Sequence, residues 1–257
     1  MKKLICLCLG AMLCLPFCGC SNEKAANALK DAIYLDKPVI NAANEGKLVI
    51  IHGTAVMSKK AEDAELGLVF DTPVVIRSVQ ALEKRTETTT NTKTTTSSDG
   101  KKVETKETKQ ITKYVWKDVN VKGATHKFKT DTFVGEAKLG DFTITGTPLK
   151  YMFNNKKITV TRDMATKSGL YYWKQGVSKA FLTTRRVSDR FMVSDSELKA
   201  VNEGISRISF EGKEKESKSE YTLAGIQQNG KLVSTKDFTI QYYAGNLSKE
   251  QMIEKNK

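Results

Sequence analysis

Residues 221–233 read YTLAGIQQNGKLV, and this stretch decides the fold class. Two runs of strand-forming residues flank Asn229-Gly230. That dipeptide tolerates the positive φ values of a two-residue hairpin turn. Residues 205–210 (ISRISF), 221–227 and 231–243 therefore read as successive antiparallel strands, with the charged residues 211–220 as a link.

Further out, the pattern recurs. Residues 47–56 (KLVIIHGTAV) and 68–79 (LVFDTPVVIRSV) are rich in β-branched residues, and Pro73 marks a break or an edge. Residues 58–66 between them are polar and helix-permissive, a connection or a short helix. Residues 115–121 (VWKDVNV), 142–145 and 157–161 continue the strand pattern. Tyr171, Tyr172, Trp173 and Phe181 cluster within residues 168–181, as buried or interfacial rings do. Residues 190–193 are apolar, and residues 195–201 suit one or two helical turns. Residues 248–255 read as a terminal helix, with Ser248 as N-cap and Gln251 at the capping-box position. Strands do not alternate with long helices, so a parallel sheet is not indicated. The expected fold is mainly β (α+β), with antiparallel strands and hairpins and few short helices.

Residues 84–113 (KRTETTTNTKTTTSSDGKKVETKETKQITK) contain no aromatic residue, and Val103 and Ile111 are their only large aliphatics. Two readings fit. One is low-complexity disorder. The other is one long Thr-rich hairpin turning at Ser97-Ser98-Asp99-Gly100, with an ordered base and a mobile polar tip. Each arm of about 14 residues would reach about 45 Å at the strand rise.

The N-terminus supplies an address. Lys2 and Lys3 precede the apolar run 4–17 (LICLCLGAMLCLPF), which has the length of a signal-peptide core and is short for a membrane-spanning helix. All five cysteines (Cys6, Cys8, Cys14, Cys18 and Cys20) lie in this segment, which argues against a disulfide framework or a thiolate metal site in the folded part. Phe17-Cys18-Gly19-Cys20, followed by polar residues, resembles a bacterial lipobox. The resemblance implies cleavage before Cys20 and lipidation of its sulfur; ordinary cleavage near Gly19 is the alternative. Two or more acyl chains hold a protein stably at a bilayer, which one does not. The domain reading is a signal peptide at 1–19, a lipidated tether or short helix at 20–43, and a β-rich domain at 44–257 with its polar hairpin at 84–113.

The 257 residues are 39% hydrophobic, enough for a core, and carry a net charge of +13. Losing Lys2 and Lys3 with the leader takes +13 to +11. The lysines are spread along the chain without an aromatic RNA-binding pattern, so no nucleic-acid partner is expected; anionic headgroups or envelope polymers suit the charge better.

Signatures of catalysis are sparse. His52 lies in a strand-like run and reads as a packing residue; His126 lies in a basic loop and reads as solvated. The chain lacks the H-E-x-x-H, G-x-S-x-G and phosphate-loop patterns. Glu62, Asp63 and Glu65, and Glu211, Glu214 and Glu216, sit among lysines as on a solvated face. Asp71 and Asp141, beside apolar residues, are the faint candidates for an acid with a raised pKa. No metal, cofactor or catalytic residue is expected, and Cys20, the lipidation site, is the one site residue.

Four stretches, in order, resemble the transmembrane protein 43 (LUMA) family: Asn44-Glu45-Gly46-Lys47-Leu48-Val49; Glu65-Leu66-Gly67-Leu68 with VVIRSVQALEK after it; the return at Tyr114-Val115-Trp116; and Gly204-Ile205-Ser206-Arg207-Ile208-Ser209-Phe210 followed by TLAGIQQNGKLV. The likeness spans roughly residues 44 to 250. It implies a membrane-associated, non-catalytic protein. The C-terminal membrane helices of the family have no counterpart before Lys257, and VQALEKRTE replaces its aromatic-rich segment. A lipid at Cys20 would stand in for the N-terminal anchor.

The resulting expectation is a cell-envelope lipoprotein with a scaffold or adaptor domain and an envelope protein partner. Ser21 after the cysteine favours the outer membrane where there is one. The alternative is a module binding a small molecule or an anionic polymer or headgroup, its pocket lined by Tyr151, Phe153, Tyr171, Tyr172 and Trp173.

Overall fold

The computed structural model describes residues 19–96, 98–123, 126–187 and 205–257. The leader at 1–18 and the segments read at 190–193 and 195–201 lie outside the described residues. In chain order the elements are α1 (Gly19–Lys30), β1 (Ile33–Tyr34), β2 (Leu48–Gly53), β3 (Ala55–Lys59), β4 (Ala61–Asp63), β5 (Leu68–Phe70), β6 (Val74–Thr96), β7 (Lys102–Asp118), β8 (Asp131–Val134), β9 (Glu136–Leu139) and β10 (Phe142–Ile144). There follow α2 (Thr147–Met152), β11 (Phe153–Ile158), α3 (Arg162–Ser168), β12 (Tyr171–Gln175), β13 (Lys179–Thr183), β14 (Ser206–Ser217), β15 (Tyr221–Gln228), β16 (Lys231–Val233), β17 (Gln241–Ala244) and α4 (Lys249–Glu254). The protein is mainly β, with short helices. The stretch 44–257, read from sequence as one domain, divides between two compact units: of the described residues, those within 19–53, 140–142 and 220–257 form unit 1, and those within 54–139 and 143–219 form unit 2.

Unit 1 is built on β15. It runs antiparallel to β2 from Tyr221↔Gly53 to Ile226↔Leu48, and β1 adds to β2 in parallel. Its other edge pairs with β16 and β17. The Asn229-Gly230 turn closes β15 onto β16 with φ of 49° and 72°, and Gln228 pairs with Lys231. Residues 231–243 are two strands instead of one. Between them Ser234 and Thr235 side chains accept from the amides of Ile240 and Phe238, and Phe238 is buried.

Helix α1 carries Ala25 and Leu29 on one stripe, and both pack with Ile50, Ala224 and Met252 of α4. The Lys249 ammonium donates to the Ala32 carbonyl at 2.8 Å. Residues 20–43 thus contribute a packed helix to unit 1. At α4 the Ser248–Gln251 capping box is present in both directions.

Unit 2 is built on β6. Strand β14 runs antiparallel to it from Ala81↔Ser206 to Val75↔Gly212. The opposite edge of β6 pairs first with β8 and then, from Gln80 outward, with β7. Strands β11 and β13 pair with β14, and β12 pairs with β13. Alternation places Val75, Val79, Ala81, Ile208, Phe210 and Leu182 in one core, and the β4–β5 hairpin contributes Ala61, Leu68 and Phe70. The Phe70 and Phe210 rings lie 4.8 Å apart.

Three local expectations change here. Residues 58–66 are strand and turn, because Ala61 and Asp63 point inward while Glu62 points out. The charged run 211–220 is mostly strand: β14 extends to Ser217, with Gly212 buried against Ile158 and Glu211, Glu214, Lys215 and Glu216 exposed. Two unforeseen helices appear. Pro148 opens α2, and Thr161 caps α3, which Gly169 ends at φ 66°.

The Thr-rich stretch is a hairpin, paired in continuous register from Gln80↔Asp118 to Thr96↔Lys102, with Gly100 at φ 79°. Leu82 is buried at its base, beside Trp116, and most of the ribbon beyond Lys84 is exposed. With no core to hold it, the ribbon relies on β-branched residues and cross-strand charges. Thr86, Thr88, Thr90, Thr92, Thr94 and Thr96 fall on one face of β6, and Glu87 bridges Lys113 at 3.0 Å.

Candidate functional site

The sheet built on β6 and β14 in unit 2 carries Arg77 on one face and Arg207 on the other. Arg77 of β6 points into the core. Its Nη1 donates to both Asp63 carboxylate oxygens at 2.9 and 2.8 Å, its Nη2 to Glu65 at 2.8 Å, and its Nε to the Lys129 carbonyl at 3.1 Å. Phe128 and Phe133 lie 5.6 and 5.1 Å from the guanidinium. Arg77 and Asp63 are 1% and 0% exposed, and Glu65 is 28% exposed and also bonded by Lys122. Burial pushes the Asp63 carboxyl up, against the pull of Arg77. Burial works the same way on Glu65, but hydrogen bonds from Lys122 and Arg77 outweigh it and hold Glu65 below its ordinary value. This network clamps β4 and its following turn onto β6.

The opposite face is assembled from register. Arg207 lies across from Gln80 and Thr183, Leu82 across from Trp116, and Phe181 across from Trp173. The Arg207 guanidinium sits 4.4 Å from the Trp116 ring centre and 4.7 Å from that of Phe181. Its Nε and Nη2 both donate to Gln80 Oε1, at 2.9 and 2.6 Å, and its Nη1 to Gln175 Oε1 at 3.4 Å. Gln80 Nε2 in turn donates to Asp118 at 2.8 Å. Burial draws the Arg207 pKa down to about 10, with Asp118 acting the other way. Trp173 is buried, 5.6 Å from Phe181 and 6.2 Å from Trp116, and its indole N–H has no hydrogen-bond partner.

The residues singled out by sequence fall elsewhere. Cys20 is the second residue of α1; its side chain lies outside the described residues. His52 of β2 stacks on Tyr34 at 5.8 Å, as a packing residue does. His126 is half-buried, with Nδ1 unpartnered, and not solvated as its basic loop suggested. Asp71 is exposed, and hydrogen bonds from Lys215 and Lys60 hold it below the usual carboxylate range, the wrong direction for an acid catalyst. Asp141 is exposed and accepts from the Ile40 amide. The buried carboxylate is Asp63, read from sequence as solvated.

The five rings proposed to line a pocket do not share one environment. Tyr151 and Tyr171 are exposed, Phe153 and Trp173 are buried, and Tyr172 packs on the core beneath Arg162. Trp173 alone of the five joins the Arg207 cluster. A sequence signal for part of that cluster existed: Arg207 falls out of phase with Ile208 and Phe210 in an alternating strand. Its convergence with Trp116 and Trp173 required the pairing of distant strands.

Among the described residues no group of three His, Cys, Asp or Glu side chains could hold a metal ion. No described helix is long and apolar enough to cross a membrane, which says nothing of strands. No protein-family model, curated protein or solved structure matches the chain. The arrangement on the Arg207 face offers recognition: a cation flanked by rings, with hydrogen-bond donors to spare.

Proposed function

We propose that this chain is a lipid-anchored protein of the bacterial cell envelope whose β-rich body acts as a non-catalytic scaffold or adaptor, with an envelope protein as partner. The observation that carries the reading is the β6–β7 ribbon. It extends well beyond the core, and the outer edge of β7 pairs with no other strand among the described residues. A long open strand edge is a template for another chain, and the lysines along it restrain indiscriminate pairing. The likeness of four ordered motifs to the transmembrane protein 43 family supports a membrane-associated role.

The anchor reading has its own mechanical support. Helix α1 runs without a break from Gly19 to Lys30 and packs through Ala25 and Leu29, so a lipid on Cys20 would hold unit 1 directly at the headgroup layer. Charge is divided unevenly. From residue 20 onward, unit 1 has nine lysines and nine carboxylates, so the whole +11 belongs to unit 2.

Two measurements test the proposal in the native host. Metabolic labelling with an alkyne fatty acid should mark the protein, and Cys20→Ser should abolish both the label and sedimentation with membranes. A photo-crosslinker placed at Lys93 or Lys109 on the ribbon should then capture one discrete partner. Unlabelled wild-type protein would overturn the anchor. A crosslinker silent at every ribbon position would overturn the adaptor role.

A further inference from the structure

Arg207 is a half-buried cation that meets no anion at ion-pair distance among the described residues. Its two best hydrogen bonds end on one amide oxygen, that of Gln80, and the nearest carboxylate in the chain of contacts, Asp118, lies behind that amide. Among the described residues no carboxylate reaches ion-pair distance of Arg207, whereas Arg77 on the other face of the same sheet has two. A desolvated guanidinium held by neutral amides retains most of its demand for an anion.

A second, independent observation lies in the same ring cluster. The Trp173 indole N–H is buried without an acceptor, next to both rings that flank Arg207. A buried unsatisfied donor costs about 1–3 kcal/mol. Both groups call for oxygen acceptors. The surroundings choose their sign and setting: residues 164–187 contain five cations and no carboxylate, Lys179 lies across from Gln175 on the Arg207 face, and Lys179, Arg185 and Arg186 are all exposed.

We propose that this face of unit 2 docks an acidic peptide segment of a partner protein, with one Asp or Glu carboxylate on Arg207 and apolar flanks against Trp116 and Phe181. The planar guanidinium fork suits a carboxylate, the rings hold its plane, and the surrounding cations steer an acidic chain toward it. This rests on the adaptor reading and names the chemistry of its partner.

The test uses the full chain labelled with 15N-tryptophan. The chain has two tryptophans, so two indole resonances appear, and Trp116→Phe assigns them. Titration with a hexaglutamate peptide should move the Trp173 indole resonance saturably, and hexalysine should not. Arg207→Gln should weaken hexaglutamate binding at least about tenfold, the scale of one charge-assisted hydrogen-bonded pair. Lys179→Glu alters an exposed position on the Arg207 face and should also weaken it, so the result does not hinge on Arg207→Gln folding. An indole resonance that stays still to millimolar peptide would overturn the proposal, as would binding unchanged in both variants. Binding of phosphatidylglycerol vesicles or inorganic phosphate with hexaglutamate silent would also overturn it. Because none of these readouts involves Cys20, their failure is distinguishable from failure of the lipid anchor.

Discussion

Replacing Arg77 by methionine probes the buried network most directly. The substitution keeps an unbranched apolar stem but removes both hydrogen bonds to Asp63, one to Glu65 and one to the Lys129 carbonyl. Glu65 is 28% exposed and retains Lys122, so it can rehydrate at modest cost. Asp63 cannot. It is 0% exposed and keeps only the Leu66 amide, at 3.3 Å. Stranding a buried carboxylate in this way costs about 3–5 kcal/mol, a large part of the roughly 5–15 kcal/mol that holds a typical domain together. Urea unfolding followed by tryptophan fluorescence measures it, because Trp116 and Trp173 both belong to unit 2. The pH dependence has a definite sign. Burial already pushes Asp63 up, and without Arg77 its folded pKa rises further above the unfolded value of about 3.9. An acid with a raised folded pKa loses stability as pH rises past its unfolded value, so the deficit of the variant should be widest at pH 7–8 and should narrow as pH falls toward 4. Adding Asp63→Leu should recover most of the loss, since apolar replacement of a whole buried pair is often close to neutral. A deficit below about 1 kcal/mol, or one independent of pH, would show that Asp63 is hydrated and the clamp is not structural.

Glu65, held below its ordinary value near 4.5, contributes stability that is full above that pH and is lost as pH falls through its folded value. Lys122→Ala should therefore lower the urea midpoint of unit 2 at pH 7, by up to about 1 kcal/mol, and make no difference near pH 3; an equal loss at both would contradict the assignment. In unit 1, Asn229→Ala places a β-carbon residue less tolerant of positive φ at 49° and should cost about 1 kcal/mol, while Asn229→Gly should be tolerated. Faster amide exchange at Gln228 and Lys231 reads the difference. Ser248→Ala removes the acceptor for the Gln251 amide and should cost about 1 kcal/mol, seen as faster exchange at that amide with the sheet unaffected.

What could be read from the residues alone was local. The Asn229-Gly230 turn and the Ser248–Gln251 cap depend on a few neighbouring atoms, and both stand in the structure where the residue types place them. The threonine repeat of 84–113 left disorder and hairpin open, because nothing in its composition says whether two polar arms will pair; the structure pairs them through to Thr96↔Lys102. The same composition misled where charge was concerned. Glu62, Asp63 and Glu65 look alike in sequence, yet Asp63 is buried because β4 presents it to Arg77, fourteen residues on. Arg207 looks like an ordinary strand arginine, and its cage comes from Trp116, Phe181, Gln80 and Gln175 on four other strands. Strand class, turns and caps follow from short-range sterics and hydrogen bonding, which the chain carries with it. Which charges are desolvated, and beside what, follows from strand register over more than a hundred residues, and only the assembled sheet decides it.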